Sequence, residues 1–143
     1  MSVTTRKAGA SDSGALSHVI DAAYAPARAT LPDLPDVSGG LADDIAAGSV
    51  WVAQTDGAVV GGAVLGLGDY AHLVNLAVHP DFGGRGIARA LIDVVQGVAK
   101  DAGFTALHLA THVGMPENVA MYHHLGWREV SRTGSKVMMV KPL

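Results

Sequence analysis

β-Branched residues open Val3–Lys7 (Val3, Thr4, Thr5), and apolar residues then recur at helical spacing at Leu16, Val19, Ile20 and Ala23. The first pattern predicts a short strand; the second predicts an amphipathic helix, with Ser11 and Asp12 as candidate N-caps and Pro26 as its stop. Between Pro26 and Gly40 lie three prolines and two glycines, a composition that disfavours regular structure and is read as a loop over a binding site, a substrate lid. Leu41–Ala47 predicts a short helix closed by Gly48. Three strands follow in hairpin order, Val50–Thr55, Ala58–Leu67 and Ala71–Val78, turned by Asp56-Gly57 and Gly68-Asp69 and stopped by His79-Pro80. Ile87, Ala90, Leu91, Val94, Val95 and Val98 restore helical spacing until Gly103 ends it. Ala106–Ala110 then reads as a strand, Pro116–His124 as a short helix, and Trp127–Ser131 and Lys136–Val140 as two closing strands.

Composition narrows the chemistry. The 143 residues suit one domain, residues 1–143, and 49% hydrophobic with 16% charged residues supply a core without a disulfide or metal staple. A formal net charge of -3 leaves no basic footprint for a phosphate backbone or an anionic bilayer, so neither nucleic acid nor membrane is expected as a partner. The absence of cysteine excludes a thiol nucleophile and cysteine-based metal clusters. The opening MSVTTRKAG has no signal-like apolar run, and Gly57–Gly68 is too short and glycine-rich to span a bilayer, so a cytoplasmic location is expected.

The most informative stretch is LVNLAVHPDFGGRGIARAL, residues 73–91, in which a strand passes through Pro80 into a glycine-rich turn and then a helix. Gly83, Gly84 and Gly86 let the backbone approach a ligand closely, and the amides opening the helix at Ile87 and Ala88 point outward at its positive end. A pyrophosphate suits that position, with Arg85 beside it. Other anion loops fit poorly. The Gly-Lys-Ser/Thr of a Walker loop is absent, and Arg89 occupies the last glycine position of a dinucleotide fingerprint counted from Gly84.

VHPDFGGRGIARAL resembles the acetyl-CoA loop of the GCN5-related N-acetyltransferase (GNAT) family, whose pattern is Arg/Gln-x-x-Gly-x-Gly/Ala. Gly86 and Ala88 match it, whereas Gly83 stands where the family carries Arg or Gln, leaving Arg85 as the substitute charge. PENVAMYHHLGW resembles a second family segment through Asn118, Tyr122, Leu125, Gly126 and Trp127. The resemblance covers nearly the whole chain, with Tyr24–Ala47 aligned by element type alone. It implies an α/β (α+β) fold: a mixed, mainly antiparallel central sheet of roughly six to seven strands, with splayed central strands, flanked by about four helices. It also implies direct transfer of an acetyl group from acetyl-CoA, as cosubstrate, to a primary amine of a small-molecule or peptidic acceptor in a ternary complex. The alternative is a non-catalytic acyl-CoA-binding sensor or interaction module with the same fold.

The chemistry has three roles to fill. A primary amine with a pKa near about 10.4 must lose a proton, the attacked carbonyl develops an oxyanion, and the departing thiolate needs a donor. The resemblance places Tyr122 at the CoA sulfur as donor, and main-chain groups of Leu76, Ala77 and Val78 along the pantetheine and the oxyanion. It brings His72 to the position of the base found as Glu in histone-type members; solvent relay or another histidine is the alternative, and other members carry an acid at the place of Val74. A neutral imidazole at pH 7 can take that proton. His79 in its His-Pro pair, and His123 and His124 at a helix end, read as structural. His108 and His112 lack the glutamate of a helical zinc motif, so no metal is expected, and His108 instead joins Tyr24, Leu31, Met115 and Met139 as an acceptor-pocket candidate. Glu117 either caps the following helix or meets substrate. A homodimer through an edge formed by Ser135–Leu143 is a further expectation, with a covered C-terminal strand as the alternative reading of that segment.

Overall fold

The computed structural model describes residues 2–31 and 39–143. Their elements are β1 (Thr4–Lys7), α1 (Ser13–Thr30), α2 (Leu41–Ala46), β2 (Val50–Thr55), β3 (Ala58–Leu67), β4 (Ala71–Val78), α3 (Ile87–Asp101), β5 (Ala106–His112), α4 (Pro116–His124), β6 (Arg128–Thr133) and β7 (Lys136–Pro142). The seven strands make one sheet in the order β1-β2-β3-β4-β5-β7-β6, antiparallel throughout except where β4 runs parallel to β5. The mixed, mainly antiparallel fold expected from the chain is the fold observed.

Two apolar clusters lie on opposite faces of this sheet. Leu16, Val19 and Ile20 of α1 and Leu41 and Ile45 of α2 pack with Val50, Val52, Val64 and Ala77 on one face. Ile87, Leu91, Ile92, Val95 and Ala99 of α3 pack with Leu65, Leu73, Leu76, Leu107, Leu109 and Met139 on the other. Leu76 and Ala77 are adjacent in β4 yet belong to different clusters, as the two-residue period of a strand requires. Gly62 on β3 is where α1 approaches most closely, since a Cβ there would overlap the Leu16 side chain.

Pro26 does not end α1, which continues to Thr30 and closes with Leu31 N donating to Ala27 O at 2.8 Å. A proline inside a helix removes its own N–H from the ladder and crowds the carbonyl four residues before it, but the helical bonds resume beyond it. The stop is one residue before Pro32: Leu31 leaves helical geometry at φ -121° and ψ 89°, the bias of a residue preceding proline. Residues 26–30 of the expected lid are therefore helix, and its residues 32–38 lie outside the described residues. Asp12 also differs from expectation. It precedes α1, but its carboxylate receives Arg6 Nη1 and Nη2 at 2.7 and 2.9 Å and Gly9 N at 2.7 Å instead of capping that helix. The Arg6 hydrogen bonds, followed by the Gly9 amide, pull its pKa down to about 2.

The expected Ser135–Leu143 edge is not an edge. β7 pairs with β5 on one side and β6 on the other, so the outer strand is β6, every residue of which is exposed. Trp127, expected to begin a strand, sits just before β6 and is buried, its indole Nε1 donating to Leu107 O at 3.0 Å.

Candidate functional site

β4 and β5 keep register only at Ala71↔Leu107 and His72↔His108, after which the strands part. A bulge lies just beyond that point. Val64 pairs with Asn75 and Leu65 with Leu73, leaving Val74 without a cross-strand partner, and a bulge of this kind bends and twists the strand that carries it. The interruption precedes the Leu76–Val78 stretch that the resemblance assigns to the pantetheine. β5 meanwhile pairs with β7 along its full length, so the later half of β4 faces a gap.

The gap opens into a cavity of about 190 Å³ lined by Ala23, Tyr24, Leu76, Ala77, Val78, Ala88, Met115, Asn118 and Met121. These residues come from α1 on one face of the sheet and from α3, α4 and the turn before α4 on the other, so elements from both faces border the cavity. Seven of the nine are residues singled out from the sequence; Ala23 and Met121 are additions.

At one mouth of the cavity the chain leaves β4 through a tight turn. His79 Nδ1 accepts the Asp81 amide at 3.1 Å, which starts the 3-10 turn Pro80–Phe82, so His79 serves the turn. Gly84 and Gly86 follow at φ 74° and 77°, conformations that L side chains rarely adopt, and a Cβ built on either meets nothing within 4 Å. Gly86 is the N-cap of α3 and has no side chain to occupy the helix's opening amides. Gly83 keeps extended geometry, φ -62° and ψ 153°. The Arg85 guanidinium carbon lies 5.2 Å from the Phe82 ring centroid. Ile87, the first residue of α3, buries its side chain in the core. Bare glycines, free helix-start amides and a nearby guanidinium fit a pyrophosphate.

Of the two phenols here, Tyr24 lines the cavity and Tyr122 does not. Tyr24 on α1 donates from its hydroxyl to Asn75 Oδ1 at 3.3 Å, and burial raises its pKa. Tyr122 on α4 is buried, with its pKa raised by burial and then by the proximity of Tyr24. Both are therefore neutral phenols at pH 7. Trp127 holds Tyr122 from behind: their rings meet edge to face at 5.5 Å, and Trp127 N donates to Tyr122 O at 2.9 Å. Asn118 Nδ2 lies 3.8 Å from the Met115 sulfur.

His72 and His108 sit at the closed end of the gap, outside the cavity lining, brought side by side by the parallel register. Tyr70 packs against both, with ring centroids 4.7 Å from His108 and 5.9 Å from His72. Burial, then His108, then Lys136, lower the pKa of half-buried His72 and favour its neutral form. Leu31 does not line the cavity either; it lies over Gly114, beside His112, whose Nδ1 accepts the Gly114 amide at 2.9 Å. Met139 is fully buried in the α3-side core and so is no part of an acceptor pocket. Among the described residues, no group of three or more His, Cys, Asp or Glu could hold a metal ion, and no helix is long and apolar enough to cross a membrane.

Asn75 was not singled out from the sequence, although it is the one polar residue in LVNLAV. Burying an amide among apolar neighbours is costly unless it is hydrogen-bonded, and that incongruity was the available signal.

Comparison with known proteins follows from this geometry. The acetyltransferase (GNAT) family pattern matches residues 18–127, well over half the chain. The probable N-acetyltransferase family 8 member 5 of Mus musculus is 32% identical over 119 residues, 76% of this chain and 50% of that protein. The uncharacterized N-acetyltransferase YjgM of Escherichia coli is 29% identical over 85 residues, 56% of this chain and 51% of that protein. The chain thus spans about half the length of these relatives. In fold it is similar to the PaiA N-acetyltransferase of Thermoplasma acidophilum, solved in complex with coenzyme A, with a TM-score of 0.89, 19% identity and 100% of each chain covered.

Proposed function

The chain belongs to the acetyltransferase (GNAT) family, and from that premise we propose that it transfers an acetyl group from acetyl-CoA to a primary amine of a small-molecule or peptidic acceptor, within one domain and by direct transfer in a ternary complex. The observation that carries the reading is the cavity beside β4, bordered from both faces of the sheet, with a glycine turn and bare helix start next to it and the neutral phenol of Tyr24 on its wall. The coenzyme A bound to a protein of the same fold supports it.

Gly83, Gly84, Arg85, Gly86 and the amides of Ile87 and Ala88 hold the pyrophosphate. The backbone of Leu76, Ala77 and Val78, facing the gap, pairs with the pantetheine arm as a short extra strand would, and their amides steady the carbonyl oxygen as it becomes an oxyanion. Asn118 and Met115 border the arm from α4, and Tyr24 borders the acceptor. Leu31 and His108 lie farther out on the acceptor side.

His72 takes the first proton from the ammonium. It lies outside the cavity lining, so a water carries the proton to it, and its lowered pKa keeps it ready to accept at pH 7. The amine nitrogen then bonds to the thioester carbon, the carbon–sulfur bond breaks, and the nitrogen's second proton ends on the departing sulfur. Tyr122 serves that step by donating a hydrogen bond to the sulfur. A phenol whose pKa is raised by burial holds its proton more tightly than a thiol near about 8.5, so Tyr122 stabilises the developing thiolate without surrendering the proton outright.

Release of free thiol from acetyl-CoA, measured with a panel of primary amines (peptides with free N-termini, a lysine-containing peptide, a polyamine, an aminosugar), tests the proposal. Acceleration by at least one amine is expected. Tight acetyl-CoA binding with no acceleration by any of them would instead leave an acyl-CoA-binding module.

A further inference from the structure

Asn75 is one of three buried polar residues described, with Asp12 and Thr55, and it immediately follows the bulge at Val74. It shares the α1 face of β4 with Ala77, a cavity-lining residue, by the two-residue strand period. Its Oδ1 receives the Tyr24 hydroxyl at 3.3 Å. The direction of that bond is the informative part. An amide oxygen can only accept, and a phenol has one proton, so Tyr24 has committed its donor to β4 and keeps only oxygen lone pairs for the cavity it lines.

We propose that Tyr24 Oη, held as an acceptor by Asn75, receives an N–H of the incoming amine, which sets the amine end of the cavity at Tyr24, apart from Tyr122, which lies outside the cavity lining. This rests on the acetyl-transfer reading above and adds a division of labour to it. An oxygen restricted to accepting attracts an ammonium or amine and offers nothing to a carboxylate or a thiolate, which need donors. Tyr122 approaches from α4, on the opposite face of the sheet, where its hydroxyl can donate toward the sulfur. The two lie close enough for Tyr24 to influence the ionisation of Tyr122. Tyr24 also remains a neutral phenol, because burial opposes its ionisation. Ala23, Met115 and Met121 surround this polar pair with apolar surface, which favours an unbranched primary amine on an aliphatic stem over a hydroxyl acceptor or a hindered secondary amine. Tyr24 touches the substrate; Asn75 acts through Tyr24 and is a positioning residue.

The test uses the amine that wild-type protein turns over best in the panel above, with steady-state kinetics at saturating acetyl-CoA and calorimetry with CoA. Tyr24→Phe raises the amine KM, or lowers kcat/KM for it, by about tenfold to a hundredfold, the loss of one hydrogen bond to a charged donor. Its CoA affinity stays within about twofold of wild type, which separates loss of the amine contact from loss of the fold. Asn75→Leu frees the Tyr24 hydroxyl to turn its proton into the cavity and lowers amine kcat/KM in the same direction, whereas in the Tyr24→Phe background it adds no further loss. Asn75→Asp, which keeps an accepting oxygen, restores the amine KM. An unchanged amine kcat/KM in Tyr24→Phe, or losses that multiply in the double variant, would overturn the proposal while leaving the acetyl-transfer reading intact. No turnover of any amine by wild-type protein would remove that reading, and this inference with it.

Discussion

Replacing Gly86 with alanine separates what the glycine turn does for the fold from what it does for a ligand. Gly86 has φ 77°, and a Cβ there meets no protein atom within 4 Å, so the folded chain suffers only the backbone strain of a left-handed residue, about 1 kcal/mol. For a chain of 143 residues that strain lowers Tm by about 2–4 °C. The consequence for binding is larger. The added methyl projects from the cap of α3 into the space through which a phosphate must approach the helix-start amides, and displacing it forfeits one or two charge-assisted hydrogen bonds. CoA affinity should fall by about tenfold to a hundredfold or more. Gly103 supplies the control, because it closes the same helix at φ 94°, also with nothing within 4 Å of a built Cβ. Gly103→Ala carries similar strain far from the glycine turn. Thermal unfolding and calorimetry with CoA on both variants should give similar Tm losses and affinity loss in Gly86→Ala alone. Equal CoA affinity in the two variants would refute the placement of the diphosphate at this helix start.

Trp127→Phe removes the indole bond to Leu107 O and loosens the wall behind Tyr122; we expect a stability loss of about 1–2 kcal/mol by denaturant titration and a fall in kcat larger than any change in CoA affinity. With His72 as the proposed base, the acid limb of kcat/KM should lie below the ordinary histidine range, because burial lowers its pKa; His72→Gln should abolish that limb in a pH–rate profile. Asp12, with a folded pKa of about 2 against an ordinary value of 3.8, stabilises the chain fully above pH ~4, and that contribution disappears as pH falls toward 2. Asp12→Asn should therefore cost about 1–2 kcal/mol at neutral pH, discounted for the solvent around half-exposed Arg6, and the gap from wild type should close in urea melts run near the lower pH.

Most elements were legible because their period and punctuation agree. The α3 stripe from Ile87 to Val98 and the turns Asp56-Gly57 and Gly68-Asp69 each allow one reading, and the structure has it. Proline was the misleading signal. Pro26 and Pro32 look alike in sequence, but a proline inside a helix with a good packing face is tolerated, whereas the residue before a proline is sterically turned away from helix. Strand order was hidden for a different reason: nothing local in VMMV tells whether β7 is inserted between β5 and β6 or lies outside them, because that choice depends on pairing across the whole sheet. The glycine turn and Tyr122 could be found as contiguous motifs. The partnership of Tyr24 with Asn75 could not, since it joins residues 51 positions apart through a bulge whose location depends on the pairing of β3 with β4. The His72 and His108 neighbours likewise emerge only once β4 and β5 are known to run parallel.

A free strand edge on a protein's exterior is an invitation to any passing chain, and β6 presents one with Arg128, Glu129 and Arg132 interspersed along it. The edge of β4 along Leu76–Val78 is of the same chemical kind but is roofed by α1 and floored by α3 and α4. Such an enclosure admits a single narrow, linear group and turns away another sheet. Width selects the guest before any side chain reads it.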